Sequence, residues 1–181
     1  GAYKATLGAD APPACYEDID HAQCLLIAGS NTAYAHPIIF RRIEDARARN
    51  PDMKIVVVDP RRTDTAQIAD LHLAIQPGTD VALFNGMLHV LLWEGMLDMP
   101  FVRNHTMGFE ALKETVREYT PKMVADICGI RENDLIQTAK WFGSGPTLSM
   151  YCMGLNQSIH GTEKNGALIN LHLATGQIGK P

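Results

Sequence analysis

Two uncharged amides, Asn156 and Gln157, occupy a short polar loop between an apolar segment and a segment of helical periodicity. Residues 147–152 have the β-favouring composition of a buried strand, and residues 164–175 repeat apolar side chains at helical spacing. Because amides donate and accept hydrogen bonds without adding charge, this loop suits recognition of a neutral heterocycle or a polar ligand edge. The structural alternative is that the glycines of the loop only make turns and the amides cap the following helix.

Two earlier loops carry residue types that suit a nucleotide. Gly29, Ser30 and Asn31 offer small side chains and backbone amides near the start of a helix, which is a favourable place for a phosphate. Asp59 can accept hydrogen bonds from a ribose hydroxyl or a guanine edge, and Arg61 can bind a phosphate through its guanidinium fork. These loops indicate a ligand that combines phosphate with a polar ring.

The third loop along the chain, containing Gly78, Thr79 and Asp80, precedes a long helix with one apolar face. The Asp80 carboxylate suits the same kind of ligand edge as Asp59. An aspartate at the start of a helix is equally typical of a plain N-cap. Both interpretations of Asp80 stay open at the level of sequence.

The elements that must position these loops alternate along the chain. Apolar segments predict strands over residues 24–28, 54–58, 71–75 and 147–152. Helices are predicted over residues 37–50, from residue 80 onward, around 109–119, 121–127 and 135–142, and over 164–175. This alternation predicts an α/β, Rossmann-like fold: a mostly parallel sheet with helices on both faces, in three αβα layers. Right-handed crossovers would then gather the four loops at one edge as a single site.

A single domain over residues 1–181 is the expected organisation. Residues 1–20 are rich in Ala, Pro and Gly and are predicted to form an irregular lead-in. Residues 101–130 are a candidate helical insertion outside the regular alternation of the sheet. The chain has no initiator Met, which favours a piece excised from a longer polypeptide.

Charge, hydropathy and cysteine spacing exclude several classes of protein. A net charge of -4 with scattered Lys and Arg lacks the basic stripe of a nucleic-acid groove. Residues 88–93, the longest apolar candidate, fall far short of the roughly 20 residues of a membrane span. Cys15, Cys24, Cys128 and Cys152 are dispersed, so no local zinc or iron–sulfur motif is encoded and reduced, packed thiols are favoured. We expect no nucleic acid, membrane or protein-ligated metal for this chain.

A nicotinamide-binding domain fits the order of elements but not the first loop. Dinucleotide-binding turns need further glycines that let a pyrophosphate and the sheet approach closely. Here Gly29 is followed by Ser30, Asn31, Thr32 and Ala33, without those glycines. This class is therefore disfavoured.

The four loops read as motifs. They are Ala28-Gly29-Ser30-Asn31 followed by His36-Pro37, Val58-Asp59-Pro60-Arg61-Arg62-Thr63, Gln76-Pro77-Gly78-Thr79-Asp80, and Met153-Gly154-Leu155-Asn156-Gln157 through His160-Gly161-Thr162 to Leu173-Ala174-Thr175-Gly176. Together they resemble the molybdopterin oxidoreductases of the dimethyl sulfoxide reductase class, and within it the cytoplasmic assimilatory nitrate reductases. The resemblance covers nearly the whole chain, and its last motif is the most specific. Formate dehydrogenases of this class usually differ at the position of Asn156, which favours nitrate.

The resemblance implies a catalytic subunit that holds molybdenum between two pyranopterin guanine dinucleotides, a Mo-bis(molybdopterin guanine dinucleotide) centre. This chain would supply one nucleotide-binding half, and the centre would reduce nitrate to nitrite by oxygen-atom transfer. By position, the resemblance implies that phosphate is contacted by Gly29, Ser30 and Asn31, and that the ribose or phosphate region is contacted by Asp59 and Arg61. Guanine would be contacted by Thr79 and Asp80, which follow Gly78. The pterin or the surroundings of the metal would be contacted by Met153, Gly154 and Gln157, which lie in one loop with Asn156.

His160 is the one candidate catalytic residue, as a group that orients an anion, and a turn-stabilising histidine is the alternative. The family carries an amino-terminal 4Fe–4S cluster and a cysteine that ligates molybdenum, and this sequence matches neither pattern. We therefore expect the isolated chain to be inactive and to expose apolar surface that other domains cover.

The implied partners are nitrate, the remaining domains of the same polypeptide, and an electron-donor protein or reductase subunit, all in the cytoplasm. Two alternatives stay open. One is a formate dehydrogenase catalytic domain, and the other is a structural electron-transfer subunit that keeps the fold without the cofactor.

Overall fold

One parallel sheet organises the chain. The computed structural model describes residues 1–179, and Lys180 and Pro181 lie outside the described residues. Within residues 1–179, four strands pair in the order β3-β2-β1-β4, and every pairing is parallel. The strands are β1 (Cys24–Ala28), β2 (Lys54–Val58), β3 (Leu71–Leu73) and β4 (Thr147–Tyr151). The bounds predicted for β1 and β2 are confirmed, whereas β3 and β4 end earlier than predicted.

Helices fill the connections between the strands. They are α1 (Ala2–Leu7), α2 (Asp18–His21), α3 (Thr32–Ala35), α4 (Pro37–Arg49), α5 (Asp80–Trp93), α6 (Met99–His105), α7 (Phe109–Arg117), α8 (Pro121–Cys128), α9 (Glu132–Ser144), α10 (Met153–Asn156) and α11 (Gly161–Ala174), with a 3-10 helix over Asp64–Ile68. Proline stands at the start of α4 and α8, where its missing N–H has no intrahelical partner to lose.

Two hydrophobic clusters lie on opposite faces of the sheet. Alternate residues of β1 point to opposite faces, so Leu25 packs in the cluster that contains Ile43 of α4. Leu26 packs in the larger cluster that contains Phe84 of α5 and residues of α8, α9 and α11. All residues of β1 are buried, as expected for a central parallel strand covered on both sides. The predicted three-layer αβα arrangement is confirmed.

The amino-terminal region and residues 101–130 differ in detail from the predictions. The lead-in is not wholly irregular, because it contains α1, which packs against α11. In the 101–130 region, Val116 and Val124 belong to the same hydrophobic cluster as the sheet. Helices α7 and α8 both contact α5, so they extend the helical layer on that face.

The carboxyl ends of the four strands lie level with one another. In the register of the sheet, Ala28 pairs with Val58 on one side and with Tyr151 on the other, and Val58 pairs with Leu73. The strand order reverses between β1 and β4, which is where open α/β sheets form a ligand crevice. The four polar loops therefore begin along one rim, as the sequence predicts.

The cysteines are free thiols in different surroundings. Cys24 and Cys128 are buried, Cys152 is half-buried and Cys15 is exposed. The predicted packed thiols are therefore found at Cys24 and Cys128 but not at Cys15. Burial raises the pKa of the Cys24 thiol to about 12, which keeps it protonated and unreactive at neutral pH. Across the described residues, every helix is too short or too polar to cross a membrane.

Candidate functional site

The loops after β1 and β4 meet by direct backbone contact. The Gly154 N–H donates to the Gly29 carbonyl at 3.0 Å, and the Gly29 N–H donates to the Val58 carbonyl at 2.9 Å. A Cβ atom built on Gly29 would lie 2.8 Å from the Gly154 Cα, and Gly29 has a φ of 56°. Glycine is therefore required at both positions, because any side chain would separate the two loops.

Most side-chain polar groups of the first loop bond within the protein. The Gly29 N–H is already used, α3 has only four residues, and the longer α4 begins at Pro37, which has no N–H. The Ser30 and Thr32 hydroxyls lie 3.0 Å apart and hydrogen-bond each other in a buried position. Asn31 Oδ1 accepts a hydrogen bond from Thr65 Oγ1 at 3.0 Å, which ties this loop to the 3-10 helix. Phosphate binding by these residues stays a prediction.

The loop after β2 is a tight turn. Asp59 Oδ1 accepts a hydrogen bond from the Arg61 N–H at 2.8 Å, and the Asp59 carbonyl lies 2.8 Å from His72 Nε2. The Asp59 side chain is buried, while the Arg61 side chain is exposed and enters no ion pair with any described residue. The turn thus fixes one oxygen of the Asp59 carboxylate and leaves the Arg61 guanidinium exposed at the rim.

The loop before α5 ends in a buried ion pair. Gly78 adopts a φ of 89°, and Thr79 Oγ1 donates to the Gln76 carbonyl at 2.7 Å. Thr79, not Asp80, is the N-cap residue of α5, so the plain N-cap interpretation of Asp80 is wrong. Asp80 Oδ2 instead lies 2.7 Å from Lys164 Nζ, and both side chains are about nine-tenths buried.

Lys164 is a residue that the sequence reasoning missed. It stands in the first turn of α11, where the helix dipole disfavours a cation, so its position indicates a nearby anion. The ion pair with Asp80 joins the first turns of α5 and α11 and thereby couples the third and fourth loops. A ligand that reaches Asp80 would meet a carboxylate already oriented by this lysine.

The side-chain amides of Asn156 and Gln157 in the last loop do not cap α11. The N-cap residue of α11 is His160, and no side chain caps this helix, so the capping alternative for Asn156 and Gln157 is wrong. Asn156 Oδ1 instead accepts a hydrogen bond from Asn165 Nδ2 at 2.7 Å. The His160 side chain is exposed and makes no hydrogen bond within residues 1–179, so it does not stabilise the turn.

Apolar side chains are exposed near this rim, as the resemblance leads us to expect. Ile159 is 94% exposed and Met153 is 57% exposed in the last loop, and Ile38 is 84% exposed at the start of α4. Burying large apolar side chains is favourable, so these positions suit contact with other parts of a longer protein.

A cleft of about 660 Å³ is bounded by residues that follow Gly29 and Gly154 in their loops. We call it the rim cleft. It is bounded by Ser30, Thr32, Tyr151, Asn156 and Asn165, with Tyr3 and other residues of the amino-terminal segment on its outer wall. The rim cleft brings together the first and last loops but not Asp59, Arg61 or the loop before α5. In the described part of the chain, no group of three or more His, Cys, Asp or Glu side chains could hold a metal ion.

Comparisons with known proteins show which family the chain resembles. The family model of molybdopterin oxidoreductase matches residues 4–181. The chain is 48% identical to a nitrate reductase of Synechocystis sp. over 99% of its length, and 46% identical to the alpha subunit of an F420-dependent formate dehydrogenase of Methanocaldococcus jannaschii over 98%. It is 40% identical to a periplasmic nitrate reductase of Desulfovibrio desulfuricans over its full length.

The fold has a close structural counterpart. Acetylene hydratase from Pelobacter acetylenicus superposes with a TM-score of 0.78 at 29% identity, over 90% of this chain and 24% of that one. The chain likewise spans about a quarter of the curated relatives, 25% of the Synechocystis protein and 26% of the M. jannaschii protein. Since the family model covers all but the first three residues, the chain belongs to the molybdopterin oxidoreductase family.

Proposed function

We propose that this chain is a cofactor-binding domain in the catalytic subunit of a molybdenum-dependent nitrate reductase, which reduces nitrate to nitrite. Family membership implies a molybdopterin cofactor. The finer proposal is that the cofactor is a bis(molybdopterin guanine dinucleotide) and that this chain holds one of its two halves. The observation that carries the proposal is the rim cleft, which lies at the reversal of strand order.

The residues of the rim fit such a group. Asn165 Oδ1 is a buried acceptor to which no atom of residues 1–179 donates, and it belongs to a residue that lines the cleft. Buried acceptors in native proteins are normally satisfied, so a bound molecule with hydrogen-bond donors suits this place. The cleft volume of about 660 Å³ falls within the range of small-molecule and cofactor sites.

Each loop has a proposed role toward the cofactor. Asp59 and Arg61 would hold the ribose or phosphate region, because the turn orients the carboxylate and leaves the guanidinium exposed. Thr79 and Asp80 would face the guanine, with the carboxylate oriented by Lys164. Ser30 and Asn31, together with Gly78, complete the nucleotide side of the rim.

The last loop would face the reactive part of the cofactor. Met153 and Gln157 are exposed beside Gly154, where they could cover the pterin and limit access of water. His160 is exposed next to them and would orient an approaching anion through its ring N–H. The bound molybdenum supplies the two-electron redox chemistry, and the protein supplies position and electrostatics.

Nitrate is the preferred substrate because proteins named nitrate reductase recur among the relatives, at 48% and 40% identity. Formate is the second candidate, because a formate dehydrogenase subunit is 46% identical over nearly the same length. A cofactor-free structural subunit is less well supported, since Asn165 keeps a buried acceptor without a donor in the described chain.

The test uses the full-length protein that contains this chain. We expect purified enzyme to contain molybdenum and pterin, to oxidise a reduced viologen dye with nitrate, and to leave formate unreacted. Formate oxidation without nitrate reduction would replace the proposal by the formate dehydrogenase alternative. Absence of pterin from correctly folded enzyme would refute both, and nitrate reduction by the isolated chain would refute the need for the other domains.

The other proposed components lie outside this chain. They are a 4Fe–4S cluster, the remaining domains of the polypeptide, and an electron-donor protein or reductase subunit. We propose a cytoplasmic location, although one relative is a periplasmic nitrate reductase. Cell fractionation with activity staining decides between the two compartments.

A further inference from the structure

We infer that Asn165 is a ligand-binding residue of the rim cleft, and that its amide hydrogen-bonds the 2-amino-4-oxopyrimidine edge that pterin and guanine share. This inference rests on the proposed function, since the cofactor proposed there contains both rings. Asn165 lies within the span of the last motif but is not among the residues that the resemblance assigns to the cofactor, and the chain's own geometry assigns the role.

The position of Asn165 is unusual for an asparagine. It lies inside α11, where asparagine is a poor helix former, and it is 8% exposed. Its Nδ2 group donates to Asn156 Oδ1 at 2.7 Å, while its Oδ1 atom is enclosed and receives no hydrogen bond from the described residues. A buried acceptor without a hydrogen bond lowers the stability of the fold, so an apolar residue would be more favourable here unless a ligand donates a hydrogen bond to Asn165 Oδ1.

The lining of the rim cleft selects the chemical class of that ligand. The described residues that bound it include one carboxylate, Asp10, which lies 3.9 Å from the Gly1 amino group, and one imidazole, His36, but no Lys or Arg side chain to match a phosphate. Tyr3, Tyr16 and Tyr151 provide aromatic surfaces, and the amides of Asn156 and Asn165 provide uncharged polar groups. This combination suits a flat, neutral heterocycle.

The shared pyrimidine edge would meet the unpaired oxygen of this amide. Asn165 Oδ1 would accept from the amino or ring N–H groups of the heterocycle, while Asn165 Nδ2 keeps its hydrogen bond to Asn156 Oδ1. The phosphates of the cofactor would then lie outside the rim cleft, toward Arg61.

The first experiment measures cofactor retention in the full-length enzyme. Asn165→Leu has a similar size and removes the amide, so we expect the variant to lose cofactor about tenfold faster than the wild type, as for one hydrogen bond of about 1.4 kcal/mol. Released pterin is quantified by fluorescence after oxidation. Asn85→Leu is the matched control, because Asn85 is also a buried helical asparagine but does not line the cleft.

A second readout separates ligand binding from a structural role. In cofactor-free protein, Asn165→Leu should unfold at nearly the same temperature as the wild type, because removing an unpaired buried acceptor offsets the loss of the hydrogen bond that Asn165 Nδ2 donates to Asn156 Oδ1. A lower unfolding temperature with unchanged cofactor retention would mean that Asn165 only supports the fold, and would overturn the inference. An equal loss of cofactor in Asn85→Leu would also overturn it.

A third experiment distinguishes the two rings. Cofactor-free full-length protein is titrated with GMP, with neopterin, and with AMP, which lacks the 2-amino-4-oxopyrimidine edge. We expect Asn165→Leu to weaken binding of GMP or of neopterin about tenfold and to leave AMP unaffected, and the affected probe identifies the ring. Unchanged binding of both GMP and neopterin would overturn the inference. If neither probe binds the wild-type protein measurably, the cofactor retention measured in the first experiment decides alone. Wild-type enzyme without pterin would instead refute the proposed function.

Discussion

Two clefts flank the outer part of β4, and they differ in how their polar groups are paired. The first is the rim cleft. The second, of about 440 Å³, lies between β4, α1 and α11 and contains His172, Ser149 and Gln177. We call it the β4-edge cleft. Several of its polar groups bind one another: His172 Nε2 lies 2.7 Å from Ser149 Oγ, and His172 Nδ1 lies 3.2 Å from the Gln177 carbonyl.

The Gln177 side chain completes this pairing. Its Nε2 group donates to the Phe142 carbonyl at 2.9 Å, and its Oε1 atom accepts from the Thr147 N–H on the outer edge of β4. In the rim cleft, Asn165 Oδ1 is an acceptor to which no described residue donates, and Asp18 Oδ1 at the wall of the β4-edge cleft is another. The clefts therefore differ in two other ways: His172, Ser149 and Gln177 form a connected network only in the β4-edge cleft, and only the rim cleft is bounded by Ser30 and Asn156 from the loops after β1 and β4.

Breaking a saturated pair should have the largest effect on stability. Lys164→Met leaves the Asp80 carboxylate buried without its partner, so we expect the free energy of unfolding to fall by about 3–5 kcal/mol. Chemical denaturation of the chain measures the change. Lys140→Met is the control, because its ion pair with Glu94 spans 3.5 Å between partly exposed side chains and should contribute about 0–1 kcal/mol. A change below the range expected for Lys164→Met would contradict the importance of the buried pair.

Separating the two loops at the rim should have the next largest effect. Gly29→Ala places a Cβ 2.8 Å from the Gly154 Cα at a φ of 56°, so we expect a loss of about 2–4 kcal/mol from overpacking and backbone strain. Gly166→Ala is the matched control. Gly166 lies in α11, and apart from its chain neighbours and the nearby backbone of that helix no described atom comes within 4 Å of the place that an alanine methyl group would take, so alanine should raise stability by about 0.5–1 kcal/mol. Equal effects of the two substitutions would argue against close contact at the rim.

The smallest effect concerns pH and the β4-edge cleft. Burial lowers the pKa of His172 to about 4, below its ordinary value of 6.5, while the hydrogen bond to Gln177 opposes the shift. Between pH 6.5 and 4, His172 is therefore protonated in the unfolded chain and neutral in the folded chain. The free energy of unfolding consequently falls as the pH is lowered through this window. We expect a loss of about 1–2 kcal/mol between roughly pH 7 and 5, measured by urea unfolding. His172→Gln should reduce this pH dependence, and an unchanged slope would refute the assignment.

Much of the architecture follows from residue pattern. Fully apolar β1 and the largely apolar β2 could be delimited from sequence because a buried parallel strand needs a continuous apolar run. Helix α1 could not, because its six residues are held by packing against α11 and not by propensity. Helix α6 begins with a side-chain cap from Asp98 that is recognisable only once the chain around it is placed.

The site was partly predictable for a related reason. Parallel topology brings the loops to one rim, so the glycines at 29 and 154 could be placed near each other before the structure was known. The partners of Asp80 and Asn156 could not, because Lys164 pairs with a residue far away in sequence and Asn165 pairs across the turn between α10 and α11, and both resemble ordinary helix residues in the sequence. Pairing between distant side chains depends on helix rotation and depth, which periodicity alone does not fix.

The most direct test is a structure of the full-length enzyme with its cofactor bound, determined by electron cryomicroscopy or crystallography. We predict density for a pterin or guanine ring in the rim cleft, with its pyrimidine edge within hydrogen-bond distance of Asn165 and the loops of Asp59 and Asp80 on the same side of the sheet. A cofactor bound at the amino ends of the strands, or in the β4-edge cleft, would contradict this prediction.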